Sequence, residues 1–239
     1  MKTVLITGAN KGIGFETAKQ MAQLGYFVYL GSRDKNRGLD AINKLKALGI
    51  SNVASIEIDV TDINSIKRAK QELETKTGAL DVLINNAGIG GELPQNISAG
   101  DIENLRKVFE TNFFGAVQTT QQFISLLKKS TGPVIVNVSS ELGSLTIHND
   151  TQNPNYVMYD AYSCSKTALN AFTVMLANEF KNTNFKINSV TPGYTATDLN
   201  QFKGIQTAEQ GAKSIVKYAT LNNDGATGKF FKDEVEIPW

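Results

Sequence analysis

The chain has 239 residues, 41% of them hydrophobic and 20% charged, with a formal charge of +1. One cysteine excludes an internal disulfide framework, one histidine excludes a Cys/His zinc cage, and the balanced charge gives no basic surface for a nucleic-acid backbone. No apolar run approaches the about 18–20 residues of a membrane span, and the apolar stretch at 4–6 is too short for a signal segment, so a single cytoplasmic domain over 1–239 is expected, without a metal.

Strand-like and helix-like segments alternate along the chain. Residues 2–7 form a β-branched apolar run that reads as a buried strand, followed by a helix over 14–24 that Gly25 stops. Residues 26–31 give a second strand. A helix over 34–48 follows, with Leu39, Ile42, Leu45 and Leu48 at three-residue steps. Residues 53–58 read as strand, 62–76 as helix, and 80–84 as strand ending in Asn85-Asn86-Ala87-Gly88. One long helix is expected over 101–129, a strand over 133–138, and a polar, aperiodic loop over 141–157. A helix over 159–181, a strand over 185–190 closed by Pro192-Gly193, a helix over 207–221 and a short strand at 229–231 complete the chain. Strands alternating with helices of this length imply right-handed crossovers and an α/β, doubly wound, mostly parallel sheet with helices on both faces. In such sheets ligands sit outside the carboxyl ends of the strands, and each unusual polar cluster here follows a strand end.

The first such cluster is Gly8-Ala9-Asn10-Lys11-Gly12-Ile13-Gly14, between the first strand and the first helix. Glycines let the backbone turn tightly and approach a ligand closely, and the free N–H groups of a helix start suit a pyrophosphate. The same residues could also serve as no more than a tight strand–helix turn. A dinucleotide with a free 2′-hydroxyl calls for an acidic residue about 20 positions on, at the end of the second strand. Ser32-Arg33 stands there instead, with Asp34 one position later. A guanidinium matches a 2′-phosphate in charge and fork geometry, and Lys11 could reach the same group, so NADP(H) is favoured over NAD(H). The plainer alternative makes Arg33, Asp34 and Lys35 a solvated turn.

Tyr162 and Lys166 lie four apart on an expected helix and so share a face. A Tyr-x-x-x-Lys pair arises readily by chance, but Ser140 ends the fifth strand and Asn112 lies in the helix before it, on a layout that brings all four to one end of the sheet. A phenol ordinarily titrates near 10, and a neighbouring ammonium together with an oxidised nicotinamide would lower that value. Tyr162 could then protonate a carbonyl oxygen while hydride reaches the carbon, with the Ser140 hydroxyl bonded to the developing oxyanion, Lys166 holding ribose hydroxyls and Asn112 anchoring a relay water.

Taken together, Thr7-Gly8-x-x-x-Gly12-x-Gly14, Asn85-Asn86-Ala87-Gly88, Asn112, Ser140, Tyr162-x-x-x-Lys166 and Pro192-Gly193 occur in the order of the short-chain dehydrogenase/reductase family, and the chain resembles its NADPH-dependent carbonyl reductase branch in Asn10-Lys11 and Ser32-Arg33-Asp34. The resemblance implies a Rossmann-type fold and an Asn–Ser–Tyr–Lys catalytic set of Asn112, Ser140, Tyr162 and Lys166. It also implies a cofactor site built from the glycine loop (Gly8, Asn10, Lys11, Gly12, Ile13, Gly14), Ser32, Arg33, Asp59 and Val60 at the adenine, and Asn85, Ala87 and Gly88 along the adenosine. Pro192, Gly193, Thr195 and Thr197 would lie near the carboxamide, beside Tyr162 and Lys166. Ser140 and Tyr162 are 22 residues apart, where many relatives have about a dozen. The additional segment, with His148 and Tyr156, is expected to reshape the substrate mouth and to bear on helix pairing, so a homo-oligomer is left open.

Within the Ser139-Ser140 pair, Ser140 is preferred because successive strand residues face opposite ways and Gly143 follows at the family's spacing. His148 reads as a loop residue and Cys164 as a small buried side chain. Glu141, Tyr194 and Phe202 are candidate substrate contacts, within substrate-lining loops at about 90–98, 141–157 and 194–204. The expected activity is reduction of a small-molecule aldehyde or ketone by NADPH, with Tyr162 as general acid. The alternative is a non-catalytic NADP(H)-binding sensor or scaffold on the same fold, for which a tuned phenol has no use.

Overall fold

The computed structural model describes residues 1–150 and 159–239. Eight strands form one sheet: β1 (Thr3–Ile6), β2 (Phe27–Ser32), β3 (Val53–Glu57), β4 (Val82–Asn85), β5 (Val134–Val138), β6 (Lys186–Thr191), β7 (Phe230–Lys232) and β8 (Val235–Glu236). Their order is β3-β2-β1-β4-β5-β6-β7-β8, parallel throughout except for the β7–β8 pair. The helices are α1 (Gly12–Gln23), α2 (Lys35–Ala47), α3 (Ile63–Lys76), α4 (Ile102–Phe109), α5 (Gly115–Leu127), α6 (Leu145–His148), α7 (Asp160–Glu179) and α8 (Ala208–Ala219).

Side chains alternate across each strand, and the two faces of the sheet make two cores. Val4, Ile6, Val28, Leu30, Val82, Ile84, Val134 and Val136 pack under α1, α2 and α8 through Ala18, Met21, Leu45 and Ile215. Leu5, Tyr29, Leu83, Ile135 and Ile187 pack under α3, α5 and α7 through Ile66, Leu73, Phe123, Leu126 and Leu176. Burial on both faces explains the near-continuous apolar runs that marked these strands. The order of the strands reverses direction between β1 and β4, which opens a crevice at their carboxyl ends, the place where ligands sit in such sheets.

Four expectations are corrected. The single helix over 101–129 is two helices, with a wide π-turn at Glu110–Phe114 between α4 and α5. The sequence does not reveal it, because both flanking segments are helical and read as one continuous run. The first part of the loop expected over 141–157 folds into a 3₁₀ turn (Glu141–Gly143) and α6, capped by the side chains of Ser140 and Ser144. The rest of it, Tyr156 included, lies outside the described residues. The last strand is Phe230–Lys232 and gains a partner in β8. Cys164 is exposed, not buried.

Candidate active site

The glycine loop owes its shape to contacts that only glycine permits. Gly8 and Gly12 both have positive φ, and a Cβ on Gly8 would lie 2.9 Å from the backbone of Ala87. A Cβ on Gly14 would meet the Asn86 amide at 2.5 Å and the Gly8 carbonyl at 2.7 Å. Asn86 in turn donates to the carbonyl oxygens of Thr7 (2.8 Å) and Gly8 (3.1 Å), tying the exit of β4 to the loop. The Thr7 hydroxyl accepts from the backbone N–H groups of Asn86 and Ala87, both at 3.0 Å. The start of α1 is left open: Lys11 occupies the cap position without a side-chain cap bond, and the first turn carries no acidic residue. Its unpaired N–H groups and the helix dipole can hold a pyrophosphate.

At the end of β2, Ser32 is buried, and its hydroxyl donates to the Asp34 carbonyl at 2.8 Å. The Asp34 carboxylate caps α2 through the Arg37 N–H (3.0 Å) and also faces the Arg37 guanidinium. The carboxylate that follows Arg33 in the chain is thus turned onto its own helix. Arg33 bonds to no described residue and lines a cleft of about 500 Å³ with Thr61, Ile89, Glu110 and Thr111. An unpartnered guanidinium beside a hydroxyl at the strand end suits a 2′-phosphate, and β2 does not end in the acidic residue that would grip a free 2′-hydroxyl. Lys11 differs from expectation: its ammonium sits 2.9 Å from Asp198, on the loop after β6. Both side chains are more than half exposed, so the pair is weak.

Of the residues expected along the adenosine, Asn85 turns its side chain away from the crevice, whereas Asp59 and Val60 lie on the turn after β3, next to Thr61 of the cleft that Arg33 lines. Asn85 is buried under the sheet, donating to Thr120 Oγ1 (3.0 Å) and Asn137 Oδ1 (2.8 Å), while Val60 packs where a Cβ on Gly115 would stand. Asp59 closes a local turn by accepting from Thr61 N and Oγ1. Asn86 is the functional neighbour that sequence reasoning missed. The doubled Asn straight after a strand was the available signal, since alternation sends one side chain into the core and the other to the crevice. Ala87 and Gly88 do line the crevice: the first touches Gly8, and a Cβ on Gly88 would stand 3.4 Å from Asn112 Oδ1 and 3.6 Å from Lys166 Nζ.

The four candidate catalytic residues meet at the carboxyl ends of β4 and β5. Ser139 is buried with its hydroxyl unpaired by protein, whereas Ser140 turns toward the crevice, accepts from Leu142 N (3.2 Å) and bonds the Tyr162 phenol. Tyr162 keeps part of its surface accessible, yet dense protein around the hydroxyl desolvates it and pushes its pKa up to about 12, against which the Ser140 bond pulls downward. Lys166 is 4% exposed, donates to the Val138 carbonyl at 2.8 Å, and is lowered to about 8 by burial. Its Nζ lies 5.6 Å from the centroid of the Tyr162 ring. The expected acidification of the phenol by this ammonium is therefore not what the protein's own groups produce. Burial outweighs the charge, and the ammonium spends its bond on a carbonyl.

Asn112 sits at the centre of the π-turn and is buried. Its amide bonds both polar backbone groups of Ile89 (2.8 and 3.0 Å) and donates to Ser165 Oγ (3.0 Å), which donates to the Tyr162 carbonyl. Both amide hydrogens are thus spent, one acceptor site of the amide oxygen is left, and the side chain fixes the β4 exit against α7. Gln95, a second missed residue, is buried and accepts from Tyr162 N (3.1 Å) while donating to the Gly90 carbonyl. Below the site a polar seam crosses the sheet. Asn137 donates to Thr173 Oγ1, which bonds Ser189 Oγ, so α7 is pinned in one register against β5 and β6.

After β6, Pro192 and Gly193 turn the chain, Gly193 with positive φ. Thr195 is buried and donates to the Pro192 carbonyl (3.0 Å), and Thr197 packs beside Gly12. Ile13 packs on the core, and Asn10 sits half-buried in the loop. Of the candidate substrate contacts, Glu141 is held 2.9 Å from Lys232, while Tyr194 and Phe202 are exposed. The His148 ring bonds the Leu142 carbonyl. Among the described residues, no group of three or more His, Cys, Asp or Glu side chains could hold a metal, and no helix is long and apolar enough to cross a membrane.

Comparison with known proteins bears on this arrangement. The family model described as short chain dehydrogenase matches residues 2–208. The chain belongs to the short-chain dehydrogenase family. It is 33% identical to a (+)-neomenthol dehydrogenase of Capsicum annuum over 95% of this chain and 94% of that protein. Salutaridine reductase from Papaver somniferum superposes with a TM-score of 0.86 at 31% identity, covering 98% of this chain and all of that one. The NADPH-bound carbonyl reductase from chicken fatty liver does so with a TM-score of 0.86 at 26% identity, covering 100% and 99%. The alignment with the neomenthol dehydrogenase runs over 301 positions against the 239 residues present here, so this member of the family lacks segments that the relative carries.

Proposed function

We propose that this short-chain dehydrogenase reduces the carbonyl of an aldehyde or ketone with NADPH. The observation that carries the reading is the Tyr162 phenol, held protonated against the Ser140 hydroxyl in the crevice that the glycine loop opens. The names of its relatives agree: a neomenthol dehydrogenase, a salutaridine reductase and an NADPH-bound carbonyl reductase.

The residues present fit the dinucleotide. The open start of α1 receives the pyrophosphate, Arg33 the 2′-phosphate, and Gly88 leaves room beside Lys166 for a ribose. When bound, NADPH supplies the hydride that goes to the carbonyl carbon. Ser140 and Tyr162 donate hydrogen bonds to the carbonyl oxygen and so hold the carbon in place. As negative charge grows on that oxygen, Tyr162 gives up its proton, leaving an alcohol and a phenolate. The Lys166 ammonium, under the ring, stabilises the phenolate until a proton from solvent restores it. A sensor without turnover has no use for a buried phenol backed by a buried lysine, two groups that each cost stability.

Cofactor choice tests the reading. Fluorescence titration of the protein with NADPH and NADH is expected to favour NADPH, and Arg33→Ala to reduce that preference by about tenfold or more by removing one charge-assisted pair. An unchanged preference in the variant would remove the 2′-phosphate assignment.

A further inference from the structure

We infer that the substrate is an uncharged ketone with a bulky apolar body, gripped between two loops that overhang Tyr162. The inference rests on the carbonyl reductase reading above and narrows it to a substrate class.

The first loop, residues 89–98, is tied to the catalytic helix at two points: Gln95 accepts from Tyr162 N, and Ile97 N donates to Asp160 Oδ2 at 3.2 Å. The second, residues 194–206, follows β6 and meets the first where Leu199 would touch a Cβ on Gly90 at 3.4 Å. Both loops therefore flank the crevice beside the phenol. They carry Leu93, Ile97, Tyr194, Leu199, Phe202 and Ile205, all exposed, with Phe202 at 66% and Ile205 at 87%. Apolar side chains scattered singly on a surface need no explanation, but six gathered on two facing loops next to an active site mark a surface meant to be covered.

Backbone conformation points the same way. Gln201 and Phe202 adopt consecutive left-handed conformations, φ 55° and 60°, which for an aromatic residue is strained. Strain of this kind, about 1–3 kcal/mol per residue, persists where a function requires it. Here the strained residue is one whose ring is exposed. Most of the charge on the two loops is paired. Glu92 pairs with Lys107 and Asp198 with Lys11, which leaves Lys203 as the one ionised side chain of the two loops without a partner. On the loops themselves an anionic substrate would find a single unpartnered ammonium and no arginine. An apolar body would find six side chains to cover.

Initial rates of NADPH oxidation test this with 4-tert-butylcyclohexanone, dihydroxyacetone and levulinate as bulky apolar, small polar and anionic ketones, and 4-nitrobenzaldehyde as a generic carbonyl. The bulky ketone is expected to exceed the other two in kcat/KM by about a hundredfold, the scale on which an apolar pocket discriminates. Phe202→Ala and, separately, Ile205→Ser are expected to lower the ratio of bulky to small ketone by about tenfold. Ile205 is so exposed that its replacement leaves the packing intact. Reduction of 4-nitrobenzaldehyde with the three ketones within threefold of one another overturns the substrate class while the reductase reading stands. A preference for levulinate that Lys203→Ala abolishes does the same. Binding of NADPH with no carbonyl reduced removes both.

Discussion

Tyr162 and Lys166 show how one environment moves two groups in opposite directions. Burial penalises whichever form is charged, so it raises the phenol to about 12 and lowers the ammonium to about 8. Each group is thus more neutral than it would be in water, and the ammonium beside the ring offsets part of the cost of the phenolate that proton donation leaves. The sign of the linkage follows. Lys166 binds its proton less tightly in the fold than in the unfolded chain, so its contribution to stability is present above 10.5 and lost as pH falls through about 8. Tyr162 holds its proton more tightly, so its contribution is present below 10 and lost as pH rises through about 12. Across neutral pH the donor stays loaded. An NMR titration of ¹³Cε-labelled lysine in the protein without ligand is expected to show one resonance with a midpoint near 8, absent from Lys166→Met. All lysines titrating near 10.5 would contradict the burial argument.

At the scale of elements, the decisive piece is the loop between β1 and α1, whose glycines bring the β4 exit against it. Gly14→Ala places a methyl group 2.5 Å from the Asn86 amide and 2.7 Å from the Gly8 carbonyl. One of these must move, and both shape the cradle. NADPH affinity is expected to fall about tenfold or more on fluorescence titration, and unchanged affinity would show that the loop is only a turn. The sequence made the loop, the strands and most helices legible, because glycine at a strand end marks a turn whatever it binds and apolar periodicity marks the buried faces. It concealed the π-turn at Glu110–Phe114, which places Asn112 against Ile89 and Ser165 between two helical segments that read as one continuous run. It concealed β8 as well, since a two-residue strand owes its existence to β7 beside it and not to its own residues. The roles of Asn86 and Gln95 were hidden for a related reason. Both act through side-chain bonds to backbone groups far along the chain, which spacing does not encode.

The whole molecule divides its work between the two halves of the sheet. The half from β1 to β3 carries the open helix start and Arg33, and the half from β4 to β6 carries Ser140, Tyr162 and Lys166 on elements locked by the seam of Asn137, Thr173 and Ser189. The reversal of strand order between β1 and β4 sets the two groups of residues facing one crevice. The residues proposed to hold the dinucleotide and the residue proposed to give up a proton are therefore expected to be separable by mutation, even though Tyr162 stands in the crevice itself. Tyr162→Phe, which removes one oxygen and keeps the ring over Lys166, measures that separation most directly. NADPH binding by fluorescence is expected to stay within about threefold of the parent, while the single-turnover rate of carbonyl reduction falls by about three orders of magnitude or more, on the scale of a lost general acid. A variant that binds NADPH and still reduces the carbonyl at near the parent rate would contradict the assignment of Tyr162 as the proton donor.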